Sequence, residues 1–334
     1  MASKTVLRLL LCLAIVATIL AGCGSPEEET PAPTPTVTRA EKIPSTAIKM
    51  LAQDDKLPPV LHSDGWAQPI PMLGPVNTAG SEDSPFITPD GNTLYFFFTP
   101  DMNIDPSKQL IDEVSGIWWT KKVNGQWTEP ERVILYKGDS LDGCEVVLGD
   151  TMWFASARAG VIGPDNIDVY TAKFVDGKWT DWQNAGEQLN KEYDIGEFHL
   201  TSDQNTIYFG WGGPSGHGGR DIWVSHKVNG EWSQPENLGS VVNSGLNEDQ
   251  PFLSSDGNEL WFCGDSRLNP GYPGPAVFRC IKVPDGSWGK PEEIVSCFAG
   301  EPTLDSEGNL YFVHHFLNSA SKPVEADIYV CRRK

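Results

Sequence analysis

Acidic side chains recur at the starts of five extended runs in this chain. The runs open Glu82-Asp83-Ser84-Pro85, Gly143-Cys144-Glu145, Ile195-Gly196-Glu197, Glu248-Asp249-Gln250-Pro251 and Ala299-Gly300-Glu301-Pro302. If one structural level brings these acids around a common pocket, an acid and a base facing each other across it could hydrolyse a glycosidic bond. Like charges crowded there raise some pKa values and keep one carboxyl protonated, as an acid catalyst must be. On this reading Glu145, Glu197 and Glu301 are the candidate catalytic residues, and Asp83 and Asp249 are ligand contacts. In the plainer alternative the acids bond backbone amides or pair with arginines, and so hold repeated units in register. The same oxygens could hold Ca²⁺, although no EF-hand-like loop is present; no cofactor or metal is otherwise expected.

The elements that must position these acids are repeats. Asp221–Phe262 is the clearest copy: an alternating run, the turn Asn229-Gly230, a second run from Trp232, a longer loop, then strands around Asp256-Gly257. Asn-Gly suits a two-residue hairpin because type I′ needs positive φ at both central residues. Related hairpins centre on Asn124-Gly125, Asp176-Gly177 and Asp285-Gly286, each followed closely by a tryptophan (Trp127, Trp179, Trp288). Units of about fifty residues with four strands each cannot bury their faces alone and stack in a ring, so the fold class is all-β and the architecture a β-propeller.

Counting predicts five blades of four antiparallel strands. The last blade ends at Cys331 without its fourth strand, and the unpaired Trp66–Leu73 is the expected replacement, closing the ring from the N-terminus and removing a sheet edge. In such a ring the loops that face the acids carry Arg158, His217, Arg220, Arg267, His314 and His315. The first four, with Trp211 as a stacking surface for a sugar, are the further candidate ligand contacts. His314 and His315 are adjacent on a strand, so alternation sends their rings to opposite faces and argues against a joint metal site. The glycine-rich 210–219 lacks the Lys and following helix of a phosphate loop, and no serine stands in a nucleophile elbow. The repeated tryptophans are expected to pack blade against blade.

Three domains are predicted. Residues 1–22 are a signal peptide, with Lys4 and Arg8 before the apolar run Leu9–Leu20. Leu20-Ala21-Gly22-Cys23 resembles the bacterial lipobox, which implies lipidation of Cys23 and an extracytoplasmic protein anchored to a bacterial membrane. Residues 23–60 are an acidic, proline-rich tether with a short helix expected within Ser45–Asp55, and 61–334 are the propeller. The formal charge is −20, and −22 once Lys4 and Arg8 leave, so no basic stripe exists for nucleic acid. A monomer is expected. Cys144, Cys263, Cys280, Cys297 and Cys331 show no zinc or CxxC spacing, and most are expected to be small core residues.

The strings SPFITPDGNTLYF at Ser84–Phe96 and QPFLSSDGNELWF at Gln250–Phe262, with Gly219-Arg-Asp-Ile-Trp223, resemble the WD-repeat-like propeller family typified by TolB. The resemblance spans residues 66–334 and implies a periplasmic or cell-surface propeller that binds proteins or glycans, often without catalysis. Accordingly the leading expectation is a binding or scaffolding module for protein or glycan, and the alternative is a carbohydrate-active enzyme, a glycoside hydrolase or lyase. The second repeat departs from the pattern, having Leu148-Gly149-Asp150 in place of Pro-Asp-Gly.

Overall fold

The computed structural model describes residues 37–163, 166–268 and 270–334. The signal peptide, the lipobox with Cys23 and residues 23–36 of the tether lie outside the described residues. The fold is a β-propeller. Strands Ser81–Ile87, Thr93–Thr99 and Gly116–Val123 pair as an antiparallel meander that ends in the short strands Gln126–Trp127 and Glu131–Arg132. The pattern returns as Ser140–Leu148, Thr151–Arg158, Asp168–Val175 and Lys178–Asn184. It returns again as Phe198–Leu200, Thr206–Trp211, Asp221–Val228 and Glu236–Asn237, then as Glu248–Leu253, Glu259–Asp265, Pro275–Ile281 and Glu292–Ser296. Ala299–Leu304, Leu310–Leu317 and Pro323–Cys331 are the last three strands.

Against Pro323–Cys331 lies the segment that the sequence leaves unpaired. Ile70 faces Val330, Pro71 faces Tyr329, and Trp66 bridges Arg333. Ala326 and Ser81 pair in parallel, which joins the last meander to the first. The hairpin turns behave as their residues require, since Asn124, Asp176 and Asn229, each followed by glycine, have φ of +52°, +51° and +54°. Leu148-Gly149-Asp150, despite its departure from the repeat, still closes a hairpin with Leu148 opposite Thr151.

The tryptophans join neighbouring meanders. An aromatic residue on the second strand of one meander meets the outer tryptophan of the next: Tyr95 meets Trp179, Trp153 meets Trp232, Tyr208 meets Trp288 and Trp261 meets Trp66, with ring centroids 5.5–6.4 Å apart. These edge contacts add roughly 0.5–1.5 kcal/mol each beyond the area they bury.

Two expectations are corrected in residues 37–60. Ser45–Asp55 contains no helix; the short helix is Arg39–Lys42, started by a capping box between Thr38 and Glu41. The segment also does not hang free as a tether. Arg39 is buried and donates to Glu82 at 3.0 Å, Lys49 reaches both Glu325 and Asp327 at 2.5 Å, and Asp55 meets His314 at 2.8 Å. Val60–Leu61 then adds an outer strand beside Glu292–Ser296. Groups far along the chain engage Lys49 and Asp55, and such tertiary contacts override a local helix preference.

Candidate functional site

The first strand of each meander carries the candidate acids, and a local irregularity aims their neighbourhood at the axis. Pairing slips by a residue just before Phe86, Val146, Phe252 and Thr303. Within each slip a non-glycine residue takes positive φ: Ser84 (+45°), Cys144 (+55°), Gln250 (+55°) and Glu301 (+52°). Left-handed backbone at such residues is uncommon and costs on the order of 1 kcal/mol. Bulges of this kind re-aim a side chain. These four residues and Glu197, which immediately precedes the remaining first strand, line one narrow axial cavity of about 40 Å³.

The acids therefore do not share one level, as the sequence suggests; they occupy three. Asp83 and Asp249 immediately precede the bulged residues Ser84 and Gln250, Glu301 is itself the bulged residue, and Glu145 follows the bulged Cys144. Glu197 stands two residues before His199, which pairs with Tyr208 as Phe86 pairs with Tyr95, so it matches Ser84 and Glu301. Glu145 holds the position that Pro85, Pro251 and Pro302 hold elsewhere, is buried, and has no hydrogen-bond partner on either carboxyl oxygen.

The electrostatics separate the acids. Glu301 accepts from the Gln250 side-chain amide and from the Ser84 backbone N–H, both at 2.5 Å, and hydrogen-bonds the Asp83 carboxyl. Burial, the charge of Asp83 and that shared hydrogen bond lift Glu301 well above the usual carboxylate range. Burial opposes ionisation of Asp83 as well, but His315, with Nε2 at 3.6 Å, and the Glu301 hydrogen bond hold Asp83 well below its ordinary value. The His315 ring, pushed down by burial, is drawn up overall by Asp83. Glu197 accepts a hydrogen bond from the Cys144 thiol at 2.9 Å. Burial, followed by the charges of Asp249 and Asp83, raises Glu197 to about 8. Burial also pushes Glu145 well up, with the charge of Glu197 adding to it. At neutral pH the cluster thus favours an ionised Asp83 beside a protonated Glu197, with Glu301 shifted in the same direction as Glu197.

The cationic candidates are engaged elsewhere or already neutralised. Arg220 contacts Asp249 at 2.7 Å and Asp194 at 2.6 Å, and donates to the Gly210 carbonyl. Arg158 is buried against Asp142 at 2.6 Å, its guanidinium facing the rings of Tyr170 and Trp182. Arg267 donates to Glu248 at 2.8 Å and lies over Phe278. Trp211 is packed between Tyr193 and Trp223 rather than offered as a platform; the exposed tryptophan is Trp182. His217 is exposed, and its backbone N–H caps Asp221. His314 and His315 do go to different partners, Asp55 and Asp83. Among the described residues no group of three or more His, Cys, Asp or Glu side chains is arranged to hold a metal ion, so the calcium alternative gains no ligand set.

Sequence reasoning missed Ser84, Cys144, Gln250 and His199 as cavity members, while His315, expected on a loop facing the acids, does reach Asp83. Aligning the runs on their turns would have found the first three, because Cys144, Gln250 and Ser84 then fall in one column with Glu301. All five cysteines of the described domain are free thiols.

No protein-family model matches the chain. No curated protein matches it either. Among solved structures, the chain is similar to an exo-1,5-α-L-arabinanase from a bovine ruminal metagenomic library, at 13% identity and a TM-score of 0.44 over 76% of this chain and 92% of that one. It is similar to the catalytic domain of a GH62 α-L-arabinofuranosidase from Coprinopsis cinerea, at 10% identity and a TM-score of 0.47 over 80% of this chain and 96% of that one. A putative TolB from Agrobacterium tumefaciens gives 15% identity and a TM-score of 0.37 over 77% and 91%.

Proposed function

We propose that this protein is a carbohydrate-active enzyme, a five-bladed propeller closed by the Trp66–Pro71 segment, that hydrolyses a glycan at the axial carboxyl cluster. One observation carries the reading: two acids in one cluster are held in opposite protonation states, Asp83 ionised against His315 and Glu197 protonated by burial and neighbouring charge. Glu197 is the general acid, giving its proton to the departing glycosidic oxygen. Asp83 is the base, taking a proton from the water whose oxygen bonds to the anomeric carbon. Cys144 and Gln250 are positioning residues, acting through Glu197 and Glu301.

The lipobox further supports an extracytoplasmic, lipid-anchored monomer, and the Pro-Asp-Gly strings a kinship with TolB-type propellers. The experiment is release of reducing sugar from a panel of polysaccharides by the soluble chain from Val37. Glu197→Gln and Asp83→Asn should each lower turnover by about 10²–10⁴-fold with the fold intact. No release by the wild-type protein across the panel removes the enzyme.

A second reading, a binding or scaffolding module for protein or glycan, is favoured by the narrowness of the axial cavity, about 40 Å³, and by Arg220 already neutralising Asp249. Saturable binding on a glycan array without turnover would support it.

A further inference from the structure

A second cavity, of about 370 Å³, opens at the opposite end of the same axis, among the turns that join first to second strands. This lies within the range of small-molecule sites, roughly 300–1,000 Å³. Phe86, Leu148, Leu200, Phe252, Leu253 and Leu304 make its walls. Its rim carries hydroxyls and acids: Thr201 bonds Asp203 and Ser254 bonds Asp256, each at 2.6 Å, while Ser202 and Ser255 are exposed to solvent. The buried polar side chain in its lining is His199, which lines both this cavity and the axial one.

The His199 ring is fixed between Phe86 and Phe252, with centroids 6.2 and 4.6 Å away. Its Nδ1 faces the Leu253 backbone N–H at 3.3 Å and so must accept, which leaves the proton on Nε2. Burial keeps the ring neutral, its pKa pushed down to about 3. No Lys or Arg is among the lining residues, and Asp203 and Asp256 stand at the rim, so an anion is disfavoured.

We propose that this cavity binds a small neutral molecule with a flat apolar body and one hydrogen-bond acceptor, which takes the Nε2 proton of His199. The site shares Phe86, His199 and Phe252 with the axial cavity but none of its acids, and it stands or falls without the proposed hydrolysis. The test is ligand-observed NMR titration of the soluble chain from Val37 with acetophenone and with α-methylstyrene, which replaces the carbonyl by a carbon of similar shape. The wild-type protein should bind acetophenone saturably and more tightly than α-methylstyrene, by roughly fivefold for one net hydrogen bond. His199→Phe, which keeps the aromatic stack, should erase that preference, and Leu148→Trp, which fills the cavity, should abolish binding of both. Near-ultraviolet circular dichroism checks that each variant is folded. The proposal is overturned by absence of saturable acetophenone binding, by equal affinity for the two probes in the wild-type protein, or by unchanged binding in folded Leu148→Trp.

Discussion

The Cys144 thiol donates to the Glu197 carboxyl at 2.9 Å across the junction of two neighbouring first strands. A buried acid with only that weak donor and two carboxylates nearby is poorly placed to ionise, and its pKa rises from an ordinary 4.5 to about 8. As pH climbs through this window the unfolded chain releases the proton first. Stability associated with protonated Glu197 is therefore whole below about 4.5 and is lost toward pH 8, on the order of 1 kcal/mol per pH unit. Urea midpoints measured from pH 5 to 8 should fall along this slope, and Glu197→Gln should flatten it. Cys144→Ser, with a stronger donor, should shift the slope to lower pH.

Trp66 carries the seam between chain ends. It is 1% exposed, donates from Nε1 to the Gly308 carbonyl at 2.9 Å, meets Trp261 edge-on and lies under the Arg333 guanidinium at 4.1 Å. Trp66→Ala should cost about 3–5 kcal/mol of unfolding free energy. A chain begun at residue 75 should lose cooperative unfolding. Cooperative melting of that shortened chain at the full-length midpoint would refute ring closure by this segment.

Lys49 supplies the cation for two nearly buried carboxyls, Glu325 and Asp327. Burial raises Asp327 to about 7 even with Lys49 beside it. Lys49→Met should therefore cost less at pH 5, where Asp327 takes up a proton, than at pH 8, where the loss should be about 1–3 kcal/mol. Calorimetric melting at the two pH values measures the difference.

Gly210 leaves the space into which the Asp249 carboxyl folds toward Arg220, and a Cβ there would overlap that carboxyl. Gly210→Ala should destabilise the fold by about 1–3 kcal/mol. By moving the charge of Asp249 it should also change the pH at which Glu197 titrates, which isotope-edited infrared spectroscopy of the carboxyl stretch can follow.

Much of the fold is legible in the residues because the turns announce themselves. Asn229-Gly230 and its relatives demand positive φ, the alternation between turns demands strands, and tryptophans at one offset demand a neighbouring face to bury them. Trp66–Leu73 stands out by the same logic, as a strand pattern with no local partner. The path of residues 37–60 is not legible: nothing local to Lys49 or Asp55 tells that Glu325, Asp327 and His314 will meet them. Nor is the bulge, since Ser84, Cys144, Gln250 and Glu301 have no chemistry in common that would mark left-handed backbone. Arg158, Arg220 and Arg267 look alike in the chain, yet only Arg220 touches one of the candidate axial acids.

By itself the sequence determined a repeating four-strand unit, the hairpins within it and an N-terminal strand in search of a sheet, because propensity and alternation act over a few residues. Tertiary structure alone decided which acids reach the axis, that Asp83 is pushed toward ionisation while Glu197 and Glu301 are pushed toward keeping their protons, and that His199 stands between two cavities. Those properties depend on burial and on charges brought within a few ångströms by residues as distant in the chain as Asp83 and Glu301, distances over which local pattern carries no information.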